Sequence, residues 1–300
     1  MSSGQTPDQS AAWSAAQVRR LQILSSRLVS SIFAGEYRSI FRGRGIEFEE
    51  VREYQPGDDV RSIDWNVTAR CGSAFVKQYV EEREMTVMLL LDRSASLDCV
   101  SPRATKNRVA AEICALLAFA AARSHDRLGL LSFTDRVERY LPPAKGARHA
   151  QRVIAEALQA PAGRGTDLAA ALDYLGRVQR RGCIVFIISD FLSADFRLSL
   201  AGAARRHDVV AVSVTDPVDE ELPDVGLLQM ADAETGGRRL VNTSNSSVRQ
   251  AWQQQAVMRQ AELSGALSAA GIEHLRVSTD SSPIQALVRF FHGRQRRLHL

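Results

Sequence analysis

Apolar and polar positions follow two different rhythms along the second part of the chain. From Glu84 onward, short runs of consecutive apolar residues alternate with longer stretches in which apolar residues recur at helical spacing. Unbroken apolar runs suit strands that are buried on both faces of a parallel sheet, and helical spacing suits helices that cover such a sheet. The pattern therefore predicts a doubly wound, mostly parallel α/β fold flanked by helices.

Six strands and six helices are predicted in this region. The strands are expected at residues 86–91, 127–133, 137–140, 183–189, 208–214 and 273–278. The helices are expected at residues 107–124, 148–158, 167–179, 194–206, 246–270 and 283–291. A turn sequence at residues 234–239 also predicts a hairpin between two short strands.

The first part of the chain has a different pattern. Residues 13–29 carry apolar side chains at helical spacing, whereas residues 46–80 read as short extended pieces. Asp58, in a Pro-Gly-Asp-Asp sequence, is expected to cap one short helical turn. Two regions follow: an N-terminal tail, helix and extended segment over residues 1–83, and an α/β domain over residues 84–300.

Composition narrows the classes of protein that need to be considered. Hydrophobic residues make up 45% of the chain and charged residues 24%, with a net charge of +4, which is ordinary for a soluble globular protein. The longest apolar run, residues 113–122, is too short to span a membrane. Aromatic residues are scarce among the basic ones, so nucleic-acid binding is not expected. The basic tail at residues 294–297 leaves peripheral membrane contact open, although a solvated, frayed end is favoured.

The four cysteines lack the spacing of a zinc site or a redox motif. Cys114 and Cys183 stand in apolar stretches, so we expect them to be small core residues. A reducing, cytoplasmic location fits this cysteine usage.

An Asp-x-Ser-x-Ser sequence follows the first predicted strand of the α/β region. Asp92, Ser94 and Ser96 come directly after the apolar run that ends at Leu91. Residues just beyond a parallel strand lie at the carboxyl edge of the sheet, where open α/β folds bind ligands. One carboxylate and two hydroxyls are hard oxygen donors that suit Mg²⁺.

Two later positions extend this set of oxygen donors. Thr166 lies in a glycine-rich loop before a predicted helix, and Asp190 follows the apolar run at residues 184–188. Each residue alone has an ordinary explanation: Asp92 as a strand-end residue or cap, Thr166 as a helix cap, and Ser189-Asp190 as partners of loop backbone groups. Their joint occurrence at strand ends favours a metal site.

These five positions resemble the metal-ion-dependent adhesion site of the von Willebrand factor A fold, which combines an Asp-x-Ser-x-Ser loop with a later Thr and Asp. Longer motifs resemble the family called domain of unknown function 58. They are Phe41-Arg-Gly43-Arg-Gly45-Ile-Glu-Phe48, the stretch from Arg52 to Trp65, Ala69-Arg70, Asp216-Pro217 and Asp232-Ala-Glu-Thr-Gly236. In place of the Met or Gly often found after the second serine, this chain has Leu97.

The resemblance implies a function as well as a fold. Members of the family resemble adaptors that work with MoxR-type AAA+ ATPases in protein maturation or assembly. The adhesion site would bind Mg²⁺, with Mn²⁺ or Ca²⁺ as alternatives, and would accept an acidic residue of a client protein. On this basis we expect a non-enzymatic, metal-dependent adaptor.

A metal-dependent phosphohydrolase with Asp92 as the nucleophile is the main alternative. Few lysines are available to hold a phosphate, which argues against it. Rossmann and Walker A glycine motifs are absent after the strands. The histidines are expected away from the proposed edge, with His207 on the surface.

The segment at residues 52–70 carries mixed charges and one tryptophan. We expect Asp58, Arg61, Asp64 and Arg70 to form internal ion pairs. The alternative is a partner-binding surface anchored by Trp65.

Overall fold

A computed structural model describes Tyr37 and residues 47–80, 84–98, 104–159, 163–193, 195–231 and 236–298. The chain divides into two units, one formed by Phe41–Met85 and the other by Met1–Ile40 with Thr86–Leu300. The helix predicted at residues 13–29 lies outside the described residues. No helix within them has the length and apolar character that a membrane span requires.

The smaller unit is built on one antiparallel strand pair. Strand β1 (Glu47–Glu53) pairs with β2 (Phe75–Val80), and helix α1 (Trp65–Cys71) lies between them in sequence. A single 3₁₀ turn at Val60–Ser62 precedes α1. Its cap is Asp59, which accepts a hydrogen bond from the Arg61 N–H at 2.9 Å. The prediction that Asp58 caps this turn was therefore wrong by one residue.

Asp58 instead forms the main ion pair described in this unit. Its two carboxylate oxygens accept hydrogen bonds of 2.7 and 2.8 Å from the Arg52 guanidinium, which lowers the pKa of Asp58. Asp64, which we expected in an ion pair, caps α1 through the Asn66 N–H at 2.9 Å. The Trp65 side chain is 67% exposed.

The larger unit contains a central sheet of six strands flanked by helices. Its strands are β3 (Thr86–Asp92), β4 (Arg127–Phe133), β5 (Val137–Ala144), β6 (Ile184–Ser189), β7 (Asp208–Thr215) and β10 (Glu273–Ser278). Strands β8 (Leu227–Ala231) and β9 (Arg238–Asn242) form a separate antiparallel hairpin. The helices are α2 (Lys106–Arg123), α3 (Ala147–Ala157), α4 (Leu168–Val178), α5 (Arg197–Ala204), α6 (Pro217–Glu220), α7 (Ser246–Ala269) and α8 (Pro283–Leu298).

The strand order across the sheet is β10-β7-β6-β3-β4-β5. Only the β4–β5 pair is antiparallel, so the sheet is mostly parallel, as predicted. From β3 the chain moves to β4 on one side, whereas from β6 it moves to β7 on the other side. The direction of winding therefore changes between β3 and β6, and such a switch point opens a crevice at the carboxyl ends of the strands.

The core lies on both faces of β3 and β6. Val87–Leu91 and Ile184–Ile188 are buried, which explains why their apolar runs are unbroken. One face packs against α4, α5 and the end of α7 through Leu172, Leu200 and Leu267. Gly129 on β4 leaves room for the Met88 side chain of β3, because a Cβ there would lie 2.5 Å from the Met88 Sδ.

Two sequence predictions about the edges of this unit were wrong. The basic tail is part of helix α8, and the Arg294 guanidinium forms ion pairs with Asp208 and Glu273 instead of fraying into solvent. His207 is buried, and its Nδ1 lies 3.3 Å from the Cys183 Sγ. Cys183 and Cys114 are buried core residues, as predicted.

Candidate metal centre

Asp92 and Asp190 emerge from neighbouring strands at the switch point of the sheet. Leu91 of β3 pairs with Ile188 of β6, so Asp92 stands beside Ser189 and one residue from the level of Asp190. Both carboxylates are largely buried, with Asp92 fully so. The two strands are parallel neighbours, so both aspartates emerge at one edge of the sheet.

The Asp-x-Ser-x-Ser loop is folded around the Asp92 carboxylate. Asp92 Oδ1 accepts a hydrogen bond of 2.8 Å from the Ser94 N–H, and its Oδ2 accepts one of 2.5 Å from the Ser189 hydroxyl. The Oγ atoms of Ser94 and Ser96 lie 2.9 Å apart. The two serine hydroxyls of the motif are thus held together at the end of β3.

Arg93 lies between Asp92 and Ser94 in the sequence, but its guanidinium contacts the end of helix α3. Its guanidinium donates hydrogen bonds to the backbone carbonyls of Ala157, at 2.5 Å, and Gln159. These carbonyls lie at the C-terminal end of α3, where the helix dipole favours a cation. Arg93 therefore anchors the loop by its side chain.

The loop that carries Thr166 is joined to the Asp92 loop by its backbone. The Ala95 N–H donates to the Arg164 carbonyl at 2.9 Å, and the Ser193 hydroxyl donates to the Thr166 carbonyl at 3.2 Å. Helix α4 is capped by Asp167, which accepts a hydrogen bond from the Ala170 N–H at 2.8 Å. The alternative explanation of Thr166 as the helix cap was therefore wrong.

The turn after β6 satisfies its own backbone groups, as the ordinary explanation of Ser189-Asp190 required. The Ser189 Oγ accepts the Phe191 N–H at 2.9 Å, and Asp190 Oδ1 accepts the Leu192 N–H at 3.2 Å. Phe191 has a φ of 56°, in the left-handed region that a phenylalanine rarely adopts. The turn that follows Asp190 is therefore held by hydrogen bonds to the side chains of Ser189 and Asp190 themselves.

Lys106 is a component of this region that sequence reasoning missed. Its Nζ lies 3.1 Å from Asp190 Oδ2 and 3.1 Å from Asp219 Oδ2, and its side chain is 2% exposed. It is the first residue of α2, where the helix dipole disfavours a cation. A lysine at that position, directly after the capping Thr105, was the available signal.

Burial and charge act in opposite ways on the ionisable groups here. Burial, and after it the nearby Asp190 carboxylate, raises the pKa of Asp92 to about 6. Burial lowers the pKa of Lys106, but Asp190 and Asp219 outweigh that effect and raise it above the ordinary value. Lys106 is therefore charged at neutral pH, and it partly neutralises a site with more carboxylates than cations.

Asp92, Ser94, Ser96 and Asp190 bring two carboxylates and two hydroxyls to the ends of β3 and β6, and backbone contacts place the loop of Thr166 beside them. No cluster of three or more His, Cys, Asp or Glu side chains suited to a metal occurs in the part of the chain that is described. Mg²⁺ prefers oxygen ligands, keeps several waters and commonly uses one or two carboxylates. The chemistry of Asp92, Ser94, Ser96, Thr166 and Asp190 fits such an ion.

A cleft of about 680 Å³ adjoins this cluster on the side of Asp190. Its walls include Phe191, Asp219, Trp252 and Arg259. His274 also lines it, with its Nε2 2.8 Å from the Ser213 Oγ. The cleft offers mixed apolar and charged surface next to the candidate ligands.

Two solved structures are similar to this chain at low identity. Conserved hypothetical protein BatB from Bacteroides thetaiotaomicron aligns with a TM-score of 0.45 and 17% identity, over 71% of this chain and 99% of that one. An aerotolerance-related membrane protein from Bacteroides fragilis aligns with a TM-score of 0.46 and 16% identity, over 71% of this chain and 99% of that one.

Relatives of much higher identity are mycobacterial proteins described as uncharacterized. Uncharacterized protein Rv1480 of Mycobacterium tuberculosis is 36% identical over 286 residues, which are 94% of this chain and 90% of that protein. Uncharacterized protein MAV169 of Mycobacterium avium is 38% identical over 159 residues, which are 51% of this chain and 94% of that protein. The model of the family described as protein of unknown function DUF58 matches residues 50–262. The chain therefore belongs to the DUF58 family, as its motifs predicted.

Proposed function

We propose that this protein is a metal-dependent, protein-binding adaptor with a von Willebrand factor A-like domain. Asp92, Ser94, Ser96, Thr166 and Asp190 would hold Mg²⁺, with Mn²⁺ or Ca²⁺ as substitutes. Because these side chains fill only part of an octahedron, a remaining position takes water or an acidic residue of a client protein.

One observation carries this proposal. Asp92 and Asp190 stand at the ends of adjacent parallel strands where the winding of the sheet reverses, and the Ala95–Arg164 hydrogen bond ties in the loop that bears Thr166. Oxygen donors from three separated segments thus belong to one edge of the sheet.

The surroundings suit a docking role. The cleft beside Asp190 is large enough for several side chains of a client segment, and Trp252 and Arg259 are residue types that often anchor interfaces. A MoxR-type AAA+ ATPase is the partner that the family resemblance implies, with the ATPase supplying mechanical work. The free cysteines at positions 71, 114 and 183 agree with a reducing, cytoplasmic setting.

Calorimetric titration with Mg²⁺ tests the metal site. We expect Asp92→Ala to abolish binding, whereas Asp173→Ala, which removes an exposed carboxylate on α4, leaves it unchanged. Capture of a MoxR-type ATPase should need Mg²⁺ and be lost in chelator. Equal Mg²⁺ binding by the wild type and Asp92→Ala would reject the proposal.

A phosphohydrolase remains the second candidate because Lys106 lies beside Asp190 and could contact a phosphate. Two features weigh against it: the Asp92 carboxyl is fully buried, and the Lys106 ammonium is already paired with two carboxylates. Release of phosphate from p-nitrophenyl phosphate by the wild type, absent in Asp92→Asn, would favour this candidate instead.

A further inference from the structure

Lys106 is the buried cation nearest to the candidate ligands among the described ion pairs. Its ammonium contacts Asp190 Oδ2 and Asp219 Oδ2, each at 3.1 Å. Burying a lysine is costly unless its charge is paired, and here both partners are carboxylates. Two acidic residues therefore stabilise a positive charge next to the place where a metal ion would bind.

Asp190 is already engaged through both of its oxygens. Its Oδ1 accepts a hydrogen bond from the Leu192 N–H at 3.2 Å, and its Oδ2 accepts one from the Lys106 ammonium at 3.1 Å. A metal ion held by Asp190 must therefore share this carboxylate with the ammonium or move the ammonium away. Asp219 can keep the ammonium paired in that event, since its Oδ2 is fixed by the Asp216 N–H at 3.1 Å.

The formal charges of the ionisable side chains at this edge indicate a role for Lys106. Asp92, Asp190 and Asp219 carry three negative charges when ionised, and Lys106 carries one positive charge. A divalent cation then brings the total to zero, so a client carboxylate can approach without meeting excess negative charge. Without Lys106 the metal would be attracted more strongly, but the loaded site would be negative and would repel the client.

We propose that Lys106 tunes this site for acidic clients: its ammonium weakens the hold of Asp190 on the divalent cation and offsets the charge of the incoming carboxylate. This inference rests on the proposed function and specifies how the metal site selects its partner. Asp219 draws the ammonium away from Asp190, so Asp219 favours metal binding by acting through Lys106.

Calorimetric titration with Mn²⁺ tests the first part. We expect Lys106→Met to bind Mn²⁺ roughly tenfold more tightly than the wild type, because a nearby like charge has been removed. Lys145→Met, which removes an exposed lysine, should leave the affinity unchanged. Unchanged or weaker Mn²⁺ binding by Lys106→Met would overturn the proposal.

Asp219→Asn gives an independent test with the opposite sign. It should weaken Mn²⁺ binding several-fold (roughly 3- to 10-fold), because the ammonium then interacts with Asp190 alone. In a Lys106→Met background the same change should have less than about half that effect in free energy, as expected for coupled residues. Equal effects in both backgrounds would overturn the claim that Asp219 acts through Lys106.

Acetate is the probe for the client carboxylate. When acetate displaces water from bound Mn²⁺, the enhancement of water-proton relaxation falls. Lys106→Met loaded with Mn²⁺ should need roughly fivefold more acetate than the wild type to halve the enhancement. An equal or smaller requirement would overturn the role of Lys106 toward acidic clients.

Folding and the proposed function are controlled separately. Circular dichroism of each variant with Mn²⁺ establishes that it is folded. If Lys106→Met does not fold, Lys106→Gln, which keeps a hydrogen-bond donor but no charge, is used in its place. Mn²⁺ binding that is absent, or unaffected by Asp92→Ala, refutes the metal centre itself. Binding that requires Asp92 but does not tighten in either Lys106 variant refutes only this inference.

Discussion

The Ser189 hydroxyl donates a hydrogen bond of 2.5 Å to Asp92 Oδ2 and accepts the Phe191 N–H at 2.9 Å. One side chain thus joins the end of β3 to the turn that follows β6. Because both strands end at the candidate metal centre, Ser189 fixes the position of one proposed ligand and the backbone that leads away from the other.

Replacing Ser189 by alanine should therefore destabilise the protein. A buried carboxylate oxygen and a buried N–H would each lose a partner, which costs about 1–3 kcal/mol per group. Urea unfolding in chelator measures the loss, and Ser264→Ala, on an exposed part of α7, should change stability by less than about 0.5 kcal/mol. Equal stabilities for the two variants would contradict this role.

Because the pKa of Asp92 is raised in the folded protein, the free energy of unfolding of the metal-free protein should fall as the pH rises. This pKa is about 6 in the folded state, and an unfolded chain has an ordinary aspartate pKa near 4. The folded protein therefore holds an extra proton between these values, and its stability falls as pH rises through that window.

Asp92→Asn should remove this dependence. The metal-free variant should be more stable than the wild type by on the order of 1–3 kcal/mol at pH values above about 7, and the two should differ less below about pH 4. Urea unfolding in chelator at several pH values measures both proteins. A larger stability gap at low pH than at high pH would contradict the sign.

Gly163 and Gly202 form a matched pair for testing the loop that carries Thr166. A Cβ on Gly163 would lie 2.2 Å from the Thr134 Oγ1, whereas none of the surrounding atoms lies within 4 Å of a Cβ on Gly202 in α5. Gly163→Ala should therefore displace the loop and weaken Mg²⁺ binding in calorimetry. Gly202→Ala should leave binding intact and stabilise the helix by up to about 1 kcal/mol.

Trp65 offers a test of the smaller unit. Because its side chain is 67% exposed, Trp65→Ala should change the free energy of unfolding by less than about 0.5 kcal/mol. Thermal unfolding checks this, and Arg52→Met, which breaks a bidentate pair with Asp58, is the variant expected to lower stability more. A loss of ATPase capture by folded Trp65→Ala would identify this residue as a partner contact.

The strand ends could be predicted because their signal is local. The runs before Asp92 and Asp190 are unbroken since both faces of β3 and β6 are covered, and each run stops where the polar loop begins. Which strands lie side by side was left open by these local patterns, and the structure shows β3 beside β6.

Lys106 could not be placed in this way. Its partners Asp190 and Asp219 are 84 and 113 positions away in the sequence, so only the tertiary fold brings them together. The same reason explains the error at the basic end of the chain, where Arg294 finds Asp208 across 86 positions. His207 looked exposed because its partner, Cys183, lies 24 positions away in the sequence.

Phe191 links backbone conformation to the carboxylate that precedes it. The left-handed conformation of a residue with a β-carbon costs about 1–2 kcal/mol, and here the buried ring packs against Phe196, with centroids 5.8 Å apart. Both rings line the cleft beside Asp190. The hydrogen bond from the Phe191 N–H to Ser189 and the packing of its ring against Phe196 together hold Phe191 in this conformation, so the backbone that leaves Asp190 is restrained from both sides.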